Sequence, residues 1–377
     1  MIVEERYDLG KLVTFIPNRR IPIHNWFYFK EGFSRDFVSM ILNKFKIDRG
    51  KWVLDPFCGV GTTLLTCKEY GVNSIGIDVS PLMVFISNVK VKEYDLKKLK
   101  EDAQELFSHR IKKTDIENSE VSSFTRRFFP PRVLKEILFF REKIQEAVSE
   151  ENRGFFTLGL MDSAIKCSYI YKDGGLLKIV ERPLPPLRKF YRRRIKRMLR
   201  DLENTELQEC FAEAITGDAR RMEKIEDESF DLIVTSPPYL NKIEYTKVYR
   251  VEYELFMPNV RFGQIRSYLG IDIKKMEKGD KYGNLPPVAR AYFIDMEKAI
   301  SEMYRVLKPG GQLVLVVAGG VFPTGVVESD YITARIIGEY EFEVDRIVVV
   351  NRRVATRDRV IKIGEARESI IIATKKG

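Results

Sequence analysis

Two short stretches of this 377-residue chain combine residue types and spacings that can do chemistry. The first is Asp55-Pro56-Phe57-Cys58-Gly59-Val60-Gly61-Thr62-Thr63. Gly59 and Gly61 let the backbone turn sharply and approach a ligand closely, because glycine carries no Cβ. The stretch lacks the Gly-Lys-Ser/Thr ending of a phosphate-cradling loop, and it is not the full Gly-x-Gly-x-x-Gly of dinucleotide binders. Asp55, at its start, suits a ligand with a cationic amino group. The second stretch is Thr235-Ser236-Pro237-Pro238-Tyr239. Prolines fix φ and offer carbonyls without a competing N–H, so the Ser236 side chain and the Pro237 carbonyl can present acceptors beside an aromatic ring.

Two further acids extend the first stretch. Asp78 lies about 20 residues beyond the loop, where a carboxylate in such folds accepts ribose hydroxyls. Asp218, in Thr216-Gly217-Asp218-Ala219-Arg220, can receive an adenine amino group. Taken singly, each acid reads equally as a solvated turn or a helix cap. Three acids at the ends of three successive strand-like runs instead suit a nucleoside with a cationic tail, such as S-adenosylmethionine.

The elements that must position these residues are visible as apolar runs ending in turn residues. Lys51 to Leu54 leads into the glycine stretch, Ser74 to Ile77 leads to Asp78, and Phe230 to Val234 leads to Thr235. Gln312 to Val317 is a further strand, introduced by a helix end and a Pro309-Gly310-Gly311 turn. Phe342 to Val350 and Ser369 to Ala373 suit an antiparallel pair closing the sheet. Helical spacing marks Thr62 to Tyr70 and Met296 to Leu307. Such alternation predicts a doubly wound α/β sheet. The alternation breaks between about 90 and 210, a stretch rich in Lys, Glu and Arg whose clearest helices are Lys97 to Ile111 and Pro131 to Val148. We therefore expect a catalytic domain from residues 1–90 and 211–377, with residues 91–210 as an inserted, mostly helical basic subdomain. Glycines between Pro258 and Pro287 predict loops near the site.

Composition narrows the function classes. An apolar share of 44% is ample for a core, and a net charge of +10 suits a polyanionic partner. It equally suits a solubilising charge in a thermophile. The four cysteines form no Cys-x-x-Cys pair and only two histidines accompany them, so neither zinc nor a disulfide framework is expected. With no signal layout and no long apolar run, the expectation is a soluble, cytoplasmic protein without membrane contact. Between Arg188 and Arg200 eight of thirteen residues are basic: Arg188, Lys189, Arg192, Arg193, Arg194, Lys196, Arg197 and Arg200. On a helix they leave Ile195 and Leu199 as a narrow apolar contact, and such a helix can track phosphates. A solvated face balanced by Glu203, Glu206 and Glu209 is the alternative. Arg126-Arg127, Arg352-Arg353 and Arg357 with Arg359 are weaker sites of the same kind.

Together, the glycine stretch and Ser236-Pro237-Pro238-Tyr239 resemble the amino-methylating DNA methyltransferases, closest to the Ser-Pro-Pro-Tyr branch that acts on cytosine N4. The resemblance implies a Rossmann-like class I methyltransferase fold, with a mostly parallel seven-stranded sheet and helices on both faces. It implies S-adenosylmethionine as cofactor, nucleic acid as partner and no metal. It places Asp55, Pro56, Phe57, Cys58, Gly59, Gly61 and Thr62 at the methionine end, Asp78 at the ribose, and Asp218 with Ala219 at the adenine. Asn25 and Trp26, in Ile23-His24-Asn25-Trp26-Phe27, match the family's N-terminal cofactor segment more loosely, and a buried aromatic cluster would look the same. Ser236 and Pro237 would accept both N–H bonds of the base amine and free its lone pair, while Pro238 holds the turn. Tyr239 would stack on a base extruded from its helix. Asn241 and Tyr245 can complete the base pocket or merely organise the loop. Relatives with Asp or Asn in place of Ser236 act on adenine N6 or on protein glutamine. Structured RNA is an alternative polymer, because the basic insert shows no separate base-reading domain.

Overall fold

The computed structural model describes residues 2–110, 121–240, 244–265, 269–270, 281–322, 325–357 and 361–377. Strand β1 (Ile2–Glu5) is followed by helix α1 (Arg35–Lys44), which begins at Ser34, whose hydroxyl accepts the Phe37 N–H at 3.2 Å. Next come β2 (Trp52–Asp55), α2 (Thr62–Tyr70), β3 (Asn73–Asp78) and α3 (Pro81–Val91). Left-handed Gly61 and Gly71 bracket α2. Ser80 caps α3, with Pro81 at its first helical position.

Between α3 and the next sheet strand lie α4 (Leu96–Ser108), α5 (Ser123–Arg126), α6 (Pro131–Ala147), α7 (Arg153–Lys166) and α8 (Leu187–Glu203). A hairpin of β4 (Ile170–Asp173) and β5 (Leu176–Ile179), absent from the helical reading, separates α7 from α8. These helices do not close on a core of their own. Leu106, Phe140, Phe156 and Tyr191 share one buried cluster with Trp26, Leu64 and Leu82.

The chain re-enters the sheet as β6 (Ala212–Thr216) and β7 (Phe230–Thr235), then forms α9 (Tyr245–Val248) and α10 (Arg250–Phe256). Helix α11 (Pro287–Val306) leads into β8 (Leu307–Ala318) and a small hairpin of β9 (Gly320–Phe322) and β10 (Gly325–Val327). Helix α12 (Ser329–Glu339) and the long pair β11 (Phe342–Arg357) and β12 (Ile361–Lys375) complete the fold. Much of the glycine-containing stretch before α11, residues 266–268 and 271–280, lies outside the described residues.

Across the sheet the order is β1-β11-β12-β8-β7-β2-β3-β6, and β12 alone runs against its neighbours. The sheet thus has eight strands where seven were expected. Strand β1 adds to the edge, parallel to β11. Its Ile2 and Val3 are 63% and 43% exposed, so no buried run announces it. Alternation along the strands sorts the core onto two faces. Val53, Leu232, Val314 and Ile370 pack with Phe37 and Ile41 of α1. Leu54, Ile233, Leu313 and Ile371 pack with Met296 and Ile300 of α11 and Ile336 of α12. From β2 the chain steps outward to β3 and β6, then returns to β7 on the other side of β2. That reversal opens a crevice at the carboxyl ends of β2 and β7, where ligands bind in open α/β sheets. No helix among the described residues is long and apolar enough to cross a membrane.

Candidate active site

The crevice holds a cavity of about 480 Å³, a size suited to a cofactor-sized ligand. Residues 55–60 and Thr62 line it, with Asp78, Asp218, Ala219, residues 236–239 and Tyr245. Both motifs therefore open on one space.

Asp55 ends β2 and is 2% exposed. Its Oδ1 accepts the Thr235 hydroxyl at 2.6 Å and the Phe57 N–H at 3.2 Å, and its Oδ2 accepts the Thr63 hydroxyl at 2.6 Å. The Thr235 bond spans the switch point and ties the glycine turn directly to the strand that carries Ser236. Burial outweighs these hydrogen bonds and pushes the carboxyl up to about 6. Asp78 ends β3 and accepts the Gly59 N–H at 3.0 Å and the Ser80 N–H at 2.8 Å. Burial raises it likewise to about 6. Asp218 pairs with Arg220, whose Nε lies 2.9 Å from Oδ1, and Arg220 reaches on to Asp295 at 2.8 Å.

Gly59, at φ +50°, lies so close to Phe29 that a Cβ would sit 3.0 Å from the ring. Gly61 does not line the cavity; at φ +75° it starts α2 where a Cβ would meet Ser87 Oγ at 2.8 Å. The glycines therefore serve the turn in two ways, one at the cavity wall and one at the α2–α3 contact. Ser236 donates its hydroxyl to the Val316 carbonyl on β8 at 3.2 Å. Tyr239 donates to Glu368 of β12 at 2.8 Å, and burial with that neighbouring acid raises its phenol far above the usual range. Tyr245 packs against Phe29, ring centroids 6.3 Å apart.

Other expected residues fall elsewhere. Trp26 is fully buried, donates Nε1 to Asp201 of α8 at 3.0 Å and meets Phe155 edge-on, so it is a core residue rather than a cavity wall. Asn25 does not line the cavity either. The N-terminal segment that does line it comes a few residues later, residues 29–33, and includes Glu31. No residue of α8 lines the cavity among the described residues. The helix is more amphipathic than its charge suggested. Leu187, Tyr191, Ile195, Met198 and Leu199 are buried, while Lys189, Arg192, Arg193, Lys196, Arg197 and Arg200 form one exposed face. Arg194 belongs to the buried side. It pairs with Asp162 at 3.0 Å and donates to the Asn25 and Trp26 carbonyls at 2.9 and 2.8 Å. Arg188 donates to the His109 and Phe107 carbonyls at 2.7 and 2.6 Å. Both arginines are thus spent on the fold. Arg352 pairs with Glu5 and Glu365, whereas its neighbour Arg353 is exposed at the cavity. Asn241 and Arg359 lie outside the described residues.

The residues present fit S-adenosylmethionine. The left-handed Gly59 opens the wall, Asp78 keeps lone pairs beyond its two backbone bonds, and Ala219 and Met83 add apolar surface. A doubly wound sheet with this strand order and these acids at its crevice defines the Rossmann-like S-adenosylmethionine-dependent methyltransferases.

Residues 16–88 match the DNA methylase family. The Type II methyltransferase M.BsoBI of Geobacillus stearothermophilus is 31% identical over 314 residues, covering 74% of this chain and 58% of that protein. M.AvaI of Nostoc is 26% identical over 417 residues, covering 90% of this chain and 83% of its own. M.MjaII of Methanocaldococcus jannaschii is 38% identical over 94 residues, covering 25% and 18%. Solved structures align loosely: geranyl diphosphate methyltransferase in complex with S-adenosylmethionine has a TM-score of 0.36 and 9% identity, over 90% of this chain and 85% of that one. The chain is thus similar to DNA methylases and to Type II methyltransferases, and it spans 58% of the length of M.BsoBI.

Proposed function

We propose that this protein transfers a methyl group from S-adenosylmethionine to the exocyclic N4 of cytosine in DNA. DNA is favoured over structured RNA because the matched family and the relatives are DNA methylases and Type II methyltransferases. The observation that carries the chemistry is the commitment of the Ser236 proton to Val316. A hydroxyl whose hydrogen is already donated can only accept from anything else in the cavity.

The amine of cytosine is a poor nucleophile because its lone pair is conjugated into the ring. With Ser236 Oγ and the Pro237 carbonyl accepting its two N–H bonds, the nitrogen is drawn toward a tetrahedral shape and its lone pair is freed. Tyr239, its hydroxyl anchored on Glu368, offers a fixed ring for stacking. S-adenosylmethionine, when bound, supplies an electrophilic methyl group. Asp55, through Thr235, holds the cofactor turn and the base-binding turn at one separation. Positioning and acceptors aimed at developing charge then carry the catalysis, and the amine proton can leave after transfer without a strong base.

The test is nucleoside mass spectrometry of unmethylated duplex DNA, and of RNA, incubated with the protein and S-adenosylmethionine. N4-methylcytosine in DNA is expected. N6-methyladenine alone, or methyl groups only in RNA or protein, overturns the assignment. Ser236→Ala should lower turnover about 100-fold or more, with cofactor affinity unchanged.

A further inference from the structure

Asp55, the acid expected at the ammonium end of the cofactor, has most of its hydrogen-bonding capacity already taken. A carboxylate accepts about four hydrogen bonds. Asp55 already takes those of Thr235, Phe57 and Thr63 and is nearly sealed from the cavity. Glu31, on the same cavity wall, is in the opposite state. Its Oε2 is buried and has no hydrogen-bond partner among the described residues.

Lys172, a half-buried lysine whose charge reaches Glu31, is committed elsewhere. Lys172 bonds Glu252 at 2.5 Å and lies 3.6 Å from the centroid of the Tyr249 ring. Burial raises the Glu31 carboxyl above its ordinary range, outweighing its own backbone N–H and the charges of Lys172 and Lys30. An orphaned buried carboxylate oxygen is costly, and in native structures such an atom calls for a partner absent from the protein itself. The segment carrying Glu31 also abuts the glycine turn, as the close approach of Phe29 to Gly59 shows.

We propose that Glu31 receives the ammonium group of the cofactor's methionine part, with Asp55 as the positioning residue that holds the turn. The inference rests on S-adenosylmethionine as the occupant of this cavity. The charge-assisted bond would be made only to a ligand with an amino-acid tail.

Calorimetry on the full chain separates the roles, with S-adenosylmethionine and 5′-methylthioadenosine as probes. The second has the adenosine and the thioether but no amino-acid tail. Glu31→Gln should weaken S-adenosylmethionine binding about 10-fold or more and leave 5′-methylthioadenosine binding unchanged. Glu31→Asp should recover part of the loss. Unchanged S-adenosylmethionine affinity overturns the proposal, as does equal weakening of both ligands, which would mark a structural role. A loss confined to DNA binding overturns it too. Failure of the wild-type chain to bind S-adenosylmethionine would instead refute the cofactor reading itself.

Discussion

Asp55 and Asp78 sit where a charge is hard to keep, and this gives the site a pH signature. Both carboxyls are pushed up to about 6 from 3.8, with burial the leading cause. The native state therefore holds their protons more tightly than the unfolded chain does. Stability from this source is fully present below about pH 3.8 and is lost as pH rises through about 6. For the nearly sealed Asp55 the loss is on the order of 3 kcal/mol. Asp55→Asn removes that titration while Asp78 keeps its own. Urea unfolding at several pH values should show the wild-type advantage over the variant falling between about pH 4 and 7. A difference that stays flat, or grows, would mean that the hydrogen bonds from Thr63 and Thr235 outweigh burial. The three acids could be read from the sequence because each follows an apolar run. Glu31 could not, because nothing in Phe29-Lys30-Glu31-Gly32-Phe33 marks a lone acid as facing a cavity. Asn25 and Trp26 misled for a related reason: a buried aromatic cluster and a cofactor contact share one sequence appearance.

Among the elements, α2 depends on the conformation at its first turn. Gly61 adopts φ +75°, and an added Cβ would meet Ser87 of α3 at 2.8–3.1 Å. Gly61→Ala should therefore carry both a left-handed backbone penalty of about 1–2 kcal/mol and an overpacking penalty of about 1–3 kcal/mol. Gly310 offers the control. Its φ is +74° with nothing within 4 Å, so Gly310→Ala should show the backbone penalty alone. Thermal denaturation of the two variants measures the difference, and equal losses would show that the α2–α3 contact yields to the extra methyl. The turn was legible because glycine spacing after an apolar run has few other uses. Strands β2, β3, β7 and β8 were legible for the same reason, being buried runs punctuated by turns. Strand β1 and the β4–β5 hairpin were not. Ile2, Val3, Tyr171 and Leu176 are 63%, 43%, 52% and 66% exposed, so these strands lack the buried alternation that betrays a strand.

At the scale of the molecule, the charge of +10 is not spread evenly in its use. On α8, Lys189, Arg192, Arg193, Lys196, Arg197 and Arg200 share an exposed face, while Arg194, in the midst of these basic residues, is turned inward. The charge is plain in the sequence. Its division is not, because it depends on Tyr191, Ile195, Met198 and Leu199 forming a broad apolar side with Arg194 among them. The two sets should respond oppositely to mutation. Reversing Arg192, Arg193, Lys196 and Arg197 to Glu should weaken DNA binding and flatten its dependence on salt, by roughly one unit of log–log slope for each phosphate no longer neutralised. Thermal stability should hold, because the side chains are exposed. Arg194→Ala should do the reverse. It leaves the half-buried Asp162 and two carbonyls without their donor, at a cost of about 1–3 kcal/mol, while the salt dependence of whatever DNA binding survives keeps its slope. Anisotropy titrations against one duplex at several salt concentrations, paired with melting curves, read both effects. If the fourfold reversal leaves affinity and slope intact, the polyanion lies along another face of the protein and α8 is a solvated surface.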